Sequence, residues 1–170
     1  WEARDAFYYC RALRGDDKLE GNQGYDELHG DDGNDRLYGE GQGLVVDGEA
    51  DVLFGGAGDD YLDGGPGADD LRGGDGDDAD RKSDGEGKRV GRGGNGDDFL
   101  LGGGGNDKLV GNTGEDTLLG QDGDDALDAG WGDDTMWGGP GRDKLDGDLG
   151  EDYLDGGTGA DFLRGGDGDD

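Results

Sequence analysis

An aspartate recurs every nine residues through most of this chain. Divided from Gly93, the sequence runs GGNGDDFLL, GGGGNDKLV, GNTGEDTLL, GQDGDDALD, AGWGDDTMW, GGPGRDKLD, GDLGEDYLD and GGTGADFLR, followed by GGDGDD. Position six of each nonapeptide is Asp, and it follows a glycine-rich stretch. Glycines allow a tight turn in which several backbone carbonyls point to one place. Together with the Asp carboxylate, these carbonyls are the hard oxygen ligands that suit Ca2+.

The same nonapeptide is found at residues 21–38 and 55–81, and imperfect copies at 12–20 and 46–54 keep its second half. Position four is Gly in every unit except the one that carries Glu49, and position eight is Leu except at Met136 and Asp80. The sequence predicts a metal ligand at position six of every unit: Asp17, Asp26, Asp35, Asp51, Asp60, Asp69, Asp78, Asp98, Asp107, Asp116, Asp125, Asp134, Asp143, Asp152, Asp161 and Asp170.

The composition indicates that the chain needs such a cation in order to fold. It has 45 glycines among 170 residues and a net charge of -31, and this combination is typical of disordered chains. The negative charge argues against nucleic acid and anionic membrane surfaces as partners, and no apolar run is long enough to span a membrane. With one cysteine and one histidine, the chain has neither a disulfide framework nor a zinc cluster.

The rest of the nonapeptide predicts an all-β fold. Glycines at positions one, two and four are expected to adopt positive φ angles, and positions seven to nine to form a short strand. In that strand position eight points inward, while positions seven and nine point outward. Because strands of three residues cannot hold alone, the units must stack into a parallel coil.

The repeat GGxGxDxLx resembles that of the RTX (repeat-in-toxin) calcium-binding family over residues 12 to 170, with two interruptions. The resemblance implies a right-handed parallel β-roll, a β-solenoid with two nonapeptides per coil. It also implies calcium ions between stacked turns, held by loop carbonyls and by position-six aspartates 18 residues apart. The implied pairings amount to about ten ions. They lie along Asp98, Asp116, Asp134, Asp152 and Asp170, along Asp107, Asp125, Asp143 and Asp161, and between Asp17 and Asp35, Asp51 and Asp69, and Asp60 and Asp78.

Two stretches depart from the nonapeptide spacing. Residues 39–54 are two residues short of two units, and residues 82–92 are two residues longer than one unit. We expect irregular turns through which the solenoid continues, with a first array at 15–81, a basic loop at 82–92 and a second array at 93–170. The basic residues of this loop either replace a missing calcium ion or form a solvated surface. Asp80, at an inward position just before the loop, suggests that the core begins to open there.

The start of the chain, WEARDAFYYC, lacks the repeat and contains Trp1, Phe7, Tyr8 and Tyr9, and it belongs to an N-terminal segment at 1–14. We expect them to cap the solenoid or to form a junction with a neighbouring domain or subunit. Extending the spacing backwards places Cys10 at an inward position, which predicts a buried thiol. His29 falls at an outward position nine, which predicts an exposed side chain.

One outward face of the second array is largely apolar. Its predicted partner surface consists of Phe99, Leu101, Leu119, Trp137 and Tyr153, with Thr117 and Thr135 between them. The opposite face carries mostly charged residues. An outward apolar stripe of this kind often marks an interface. The alternative is that aromatic residues merely favour strand structure.

The leading functional hypothesis is a non-catalytic calcium-binding module of a secreted bacterial protein. The resemblance implies export in the unfolded state and folding on calcium outside the cell or at its surface. The alternative is a structural subunit of an extracellular filament or surface layer, built by self-association of calcium-loaded rolls. An enzyme is not expected, because Ser83 lies outside any G-x-S-x-G motif and His29 is the only imidazole.

Overall fold

The computed structural model describes residues 8–40, 50–65, 68–81 and 90–170. Over these residues the chain forms 17 strands. The same residues include no helix that is long and apolar enough to span a membrane. The strands are β1 (Tyr8–Arg11), β2 (Lys18–Asn22), β3 (Asp26–Asp32), β4 (Arg36–Glu40), β5 (Val52–Ala57), β6 (Tyr61–Asp63), β7 (Asp70–Asp75), β8 (Ala79–Arg81), β9 (Val90–Asn95), β10 (Phe99–Gly104), β11 (Lys108–Thr113), β12 (Thr117–Asp122), β13 (Ala126–Trp131), β14 (Thr135–Gly141), β15 (Lys144–Leu149), β16 (Tyr153–Gly159) and β17 (Phe162–Asp167).

Successive strands alternate between two parallel sheets. The odd-numbered strands form a nine-stranded sheet in the order β1 to β17, and the even-numbered strands form an eight-stranded sheet from β2 to β16. Each strand therefore pairs with the strand two places along the chain, as Lys108 of β11 does with Ala126 of β13. Two nonapeptides complete one coil. The predicted all-β fold, a parallel β-roll, is confirmed.

All strands except β6 and β8 are longer than the three residues that the sequence predicts. Most run from position seven of one nonapeptide to position three of the next, as in Lys108–Thr113, so only positions four to six form the turn. Position two has a positive φ even where it is not glycine, as at Asn112 (φ 86°), and position four does so at Gly114 (φ 136°). None of the described position-one residues, Gly111 among them, has a positive φ angle, so that part of the prediction is wrong.

Leucines at position eight form the interior. Along β11 the burial alternates, with Leu109 and Gly111 buried and Lys108 and Asn112 exposed, because successive side chains of a strand point to opposite faces. The buried apolar residues are Leu19, Leu28, Leu37, Leu53, Leu62, Leu71, Leu100, Leu109, Leu118, Leu127, Ala129, Met136 and Leu145. Leu154 packs against this core, and Leu163 in β17 is 44% exposed.

The two interruptions differ in kind. Leu28 pairs with Leu53, and Leu37 pairs with Leu62, so residues 39–54 occupy the place of one nonapeptide with seven extra residues. The strands on either side of this stretch stay paired in register, although its length is closer to two nonapeptides than to one. Residues 82–92 do take the place of one unit, since Asp70 pairs with Val90 and Leu71 with Gly91.

Asp80 occupies an interior position in β8, between Leu62 and Leu100. It is 1% exposed, so the core is closed around it. The prediction that the core opens to solvent there is wrong. What changes at this level is the chemistry of the interior, because a carboxylate replaces the leucine.

Two smaller predictions near the N-terminus need correction. Cys10 lies in register with Leu28, as the spacing predicts, but its thiol is exposed, because β1 is the edge strand of its sheet. His29 faces outward but is half-buried, since its ring stacks on Phe54 at 4.4 Å and its Nε2 lies 2.8 Å from Glu27 Oε1. Tyr8–Arg11 form a strand of the roll; residues 1–7 lie outside the described part of the chain.

Adjacent leucines of β12 allow a test of the core. Leu118 is fully buried, whereas Leu119 is on the outer face and partly exposed. We expect Leu118→Ala to lower the free energy of unfolding of the calcium-loaded chain by about 2–5 kcal/mol, since it leaves a cavity. Leu119→Ala should cost less than about 1 kcal/mol. Thermal or denaturant unfolding followed by circular dichroism measures both; equal losses would contradict the predicted facing of the strand.

Candidate metal centre

The position-six aspartates lie at the turns, and all but two immediately precede a strand; Asp26 is the first residue of β3, and Asp170 follows the last strand, β17. All are buried except Asp17 and Asp170, which are exposed, and Asp161, which is half-buried. These three belong to the outermost coils. The carboxylates are buried because each side chain turns toward the interior of the roll and is covered by the coils on either side. Burial of so many carboxylates is rare unless they are paired or coordinate a metal.

In most of the buried position-six carboxylates, one oxygen joins two successive coils. Asp116 Oδ1 accepts a hydrogen bond from the backbone N–H of Asp98, and the N–H of Asp116 donates to Asp134 Oδ1. The same bond recurs along the roll with N to O distances of 2.7 to 3.1 Å. The backbone therefore fixes both the position and the orientation of each carboxylate.

These bonds join the aspartates into two ladders, one at each edge of the roll. The first ladder contains Asp17, Asp35, Asp60, Asp78, Asp98, Asp116, Asp134, Asp152 and Asp170. The second contains Asp26, Asp51 and Asp69, and then Asp107, Asp125, Asp143 and Asp161. The structure brings together every pair that the sequence predicts. It adds the links from Asp35 to Asp60 and from Asp26 to Asp51, which span 25 residues, and the link from Asp78 to Asp98, which spans 20.

The other carboxylate oxygen is left without a hydrogen bond in much of the first ladder and part of the second. The buried Oδ2 atoms in this state belong to Asp35, Asp60, Asp78, Asp98, Asp116, Asp125, Asp134, Asp143 and Asp152. A buried carboxylate oxygen without a partner costs free energy comparable to a lost charge-assisted hydrogen bond. Such an atom, repeated coil after coil, fits a cation as its missing partner.

The glycine at position one makes room beside these oxygens, except beside that of Asp134, whose unit has Ala129 there. A Cβ atom at Gly111 would overlap Asp116 Oδ2 and would lie 2.6 Å from the carbonyl oxygen of Ala129. At Gly120 the corresponding atoms are Asp125 Oδ2 and the carbonyl oxygen of Gly138, the latter at 2.7 Å. Glycine is therefore required here for close approach. The space that it leaves is bordered by a carboxylate oxygen and by a carbonyl oxygen of the next coil.

Carbonyl oxygens at positions two and four are also directed toward the next coil. A Cβ atom at Gly130 would overlap the carbonyl oxygen of Asn112, and one at Gly114 would overlap that of Gly96. Since these residues have positive φ angles, their carbonyls point along the roll between stacked turns. Each turn thus contributes a set of neutral oxygen atoms close to the carboxylates.

Burial changes the acidity of these carboxyl groups. It raises the pKa of Asp78 to about 8, and that of Asp98, Asp125 and Asp134 to about 7. The hydrogen bond from the preceding N–H opposes this rise, and the neighbouring carboxylates of the ladder add to it. The pKa of Asp60 and of Asp116 rises to about 6 for the same reason. Burial also raises the pKa of three further members, Asp35, Asp143 and Asp152.

The family comparison agrees with this arrangement. The family model described as "RTX calcium-binding nonapeptide repeat" matches residues 12–42, 46–79, 91–118, 110–145 and 146–170. The chain belongs to the RTX calcium-binding nonapeptide repeat family. The matched ranges leave out residues 1–11, and also residues 43–45 and 80–90, which lie within or beside the two interruptions. A search of curated proteins gave no significant match.

The RTX repeats of this chain offer a particular set of donors. Among the described residues, no three His, Cys, Asp or Glu side chains come together in a group that could hold a metal. The available donors are therefore one or two carboxylates supplemented by backbone carbonyls. Calcium accepts such mixed oxygen ligands in flexible geometry, whereas zinc requires nitrogen or sulfur ligands in a tetrahedron. The donor set fits Ca2+, the ion that RTX nonapeptide repeats bind.

The RTX turns also contain a third ladder, at position five, which was not predicted from the sequence. At position five, the N–H of Asp77 donates to Asp59 Oδ1, and the N–H of Glu115 donates to Asp97 Oδ1. This ladder is exposed, and the N–H that donates belongs to the later of the two coils. In the position-six ladders the N–H that donates belongs to the earlier coil. Acidic residues at position five of alternate units were the signal that could have revealed it.

The predicted partner surface lies on one sheet of the RTX roll, as the spacing indicates. Phe99 is in register with Thr117, and Leu101 with Leu119, while Trp137 and Tyr153 continue the same face in β14 and β16. The rings of Trp137 and Tyr153 are 6.0 Å apart. These two side chains are 39% and 55% exposed, and Phe99 is 43% exposed.

Proposed function

We propose that this chain is a non-catalytic module that folds when calcium binds to its position-six aspartates. The observation that carries the proposal is the pair of buried carboxylate ladders, in which one oxygen of most groups is bonded to the backbone of the preceding coil and the other lacks a hydrogen bond at the positions named above. The proposed ligands are the position-six aspartates of both ladders together with carbonyl oxygens of the turns.

The stability of the roll depends on what balances these carboxylates. Without a cation, each coil places negatively charged groups next to one another in an interior of low dielectric constant. A chain with a net charge of -31 has too few basic residues to offset this. Bound Ca2+ supplies positive charge and takes the place of the missing hydrogen-bond partners. Because the ladder forms only when coils stack, free energy of binding becomes free energy of folding.

The cellular setting is part of the same proposal. RTX repeats and a strongly acidic, glycine-rich composition support a module of a secreted bacterial protein that stays unfolded at low calcium and folds outside the cell or at its surface. We propose a structural role because the aspartates that could act as acids or bases are the ones that the metal requires.

Counting bound ions tests the proposed ligand set. Equilibrium dialysis of the full chain against radioactive calcium should give about ten ions per chain. Magnesium at the same concentration should displace few of them, because it requires a smaller octahedral site and releases its water reluctantly. Binding of one or two ions only would contradict the ladder as the site.

The partner surface supports a second candidate function, self-association of loaded rolls into an extracellular assembly. The observation that favours it is the apolar face of Phe99, Leu101, Leu119, Trp137 and Tyr153, which is partly exposed in a chain that is otherwise highly charged. The same face could instead dock on a neighbouring domain.

The two possibilities for this face are separable. We expect Leu119→Lys with Trp137→Lys to abolish any calcium-dependent oligomer seen by analytical ultracentrifugation. Lys144→Glu, on the opposite sheet, is the control and should leave the oligomer intact. A wild-type chain that stays monomeric in calcium would eliminate self-association and leave docking to another domain.

A further inference from the structure

The stack of apolar side chains inside the roll is interrupted at one level. In the even-numbered sheet, Leu62 and Leu100 are separated by Asp80. In the odd-numbered sheet, Leu71 and Leu109 are separated by Gly91. Both residues are buried, so a carboxylate and a residue without a side chain occupy adjacent interior positions where leucines stand elsewhere.

The interruption divides the core into two separate clusters. The first consists of Leu19, Leu28, Leu37, Leu53, Leu62 and Leu71. The second consists of Leu100, Leu109, Leu118, Leu127, Ala129, Met136 and Leu145. Each is a continuous stack, and the two clusters do not merge across the coil of Asp80 and Gly91.

The backbone, by contrast, continues through this coil. Ala79 N–H donates to the carbonyl of Asp60, and Phe99 N–H donates to that of Asp78. Val90 N–H donates in the same way to Asp69. The two halves are therefore joined by strand hydrogen bonds but lack the apolar contacts that couple neighbouring coils elsewhere.

The ladders are affected unequally at the same level. In the first ladder, Asp78 N–H donates to Asp98 Oδ1, so that edge is continuous. In the second, the residue that precedes Val90 in the sequence is Arg89, where the described nonapeptides have Asp. One edge of the roll thus lacks a position-six carboxylate between Asp69 and Asp107.

We propose that the coil of Asp80 and Gly91 divides the roll into two units that fold on calcium separately. The inference rests on the proposed function, since calcium-coupled folding is its premise. In a solenoid, cooperativity depends on the interface between adjacent repeats, so a coil with a weak interface becomes the boundary between cooperative units. The N-terminal unit ends near Asp78, and the C-terminal unit begins near Asp98. A module built in this way has two calcium thresholds.

Hydrogen exchange of the full chain, read by mass spectrometry across a calcium titration, tests the boundary. Peptides from residues 17–79 and from 98–170 should become protected at calcium midpoints that differ by a factor of about two or more. All peptides within one unit should share a midpoint. A single midpoint for the whole chain would overturn the proposal.

A variant in which the apolar core is made continuous provides a second test of the boundary. Asp80→Leu combined with Gly91→Leu should restore the apolar stack and bring the two midpoints together. Asp128→Leu, which removes an exposed carboxylate from β13, is the matched control and should leave them apart. If the repaired variant folds and the two midpoints remain unchanged, the interior break is not the cause and the proposal is wrong.

The outcomes also distinguish this proposal from the one on which it rests. Two calcium midpoints support both calcium-coupled folding and the division into two units. A single calcium midpoint contradicts only the division into two units. Protection that is the same with calcium and with a chelator would remove calcium-coupled folding itself. If the repaired variant does not fold, the wild-type titration alone decides the question.

Discussion

Asp116→Asn will raise the calcium concentration required for half-folding by about tenfold, which corresponds to about 1.4 kcal/mol. Asp116 lies in the middle of the first ladder, bonded to the coils on both sides through Asp98 and Asp134. Asparagine keeps the size of the side chain and an oxygen that can accept from Asp98 N–H. It loses the negative charge at Oδ2, the buried atom that lacks a hydrogen bond. The variant therefore tests the contribution of the negative charge while the hydrogen bond between the coils is kept.

The same substitution should act in the opposite direction without calcium. Removing a buried charge relieves repulsion between coils, so the chelated variant should retain at least as much β-structure as the chelated wild type. Asp122→Asn, in which an exposed carboxylate at position three of a neighbouring turn is changed, is the control. Calcium titration followed by circular dichroism measures all three proteins. Equal midpoints for Asp116→Asn and Asp122→Asn would contradict a metal role for the ladder.

Lowering the pH from 7.5 to 5.5 is expected to raise the calcium midpoint of the wild type by about tenfold or more. The pKa values of Asp98, Asp125 and Asp134 are raised to about 7, and that of Asp78 to about 8, so these groups bind protons in competition with calcium. A typical exposed aspartate, with a pKa near about 4, would remain ionised over the whole range. The effect therefore reports on the buried groups.

Without calcium, lowering the pH should stabilise the folded state instead of opposing its formation. Because the pKa of the folded carboxyls is higher than that of the unfolded ones, the folded state binds more protons, and its stability is lost as the pH rises through about 6 to 8. The chelated chain should thus gain β-structure on acidification toward pH 5. Circular dichroism at fixed chelator concentration checks this. A chelated chain that is insensitive to pH would contradict the burial of the ladders.

Much of the structure can be predicted from the nine positions of the repeat. Asp at six and Leu at eight, repeated at fixed spacing, predict both the ladders and the core, because stacked coils must bring equivalent residues together. Asp116 and Leu118 illustrate this, since each lies beside its counterpart from the next coil. The fold and the grouping of the candidate ligands were therefore accessible from the sequence.

The remaining features depend on packing that the spacing does not encode. Gly111 is glycine because Asp116 Oδ2 approaches it, which becomes visible only once the side chain has turned inward. The seven extra residues of the 39–54 stretch leave the neighbouring strands in register, since Leu28 pairs with Leu53 and Leu37 with Leu62. His29 is half-buried because Phe54 arrives beside it from the next coil, across the same interruption.

Circular dichroism of the full chain in calcium, and again after chelation, tests the central claim most directly. We predict a β-rich spectrum in calcium and a disordered spectrum in excess chelator, with the β-rich spectrum restored when calcium is added back. The same experiment with magnesium should leave the chain largely disordered. A chain that keeps its β-structure in the chelator at neutral pH would contradict calcium-coupled folding.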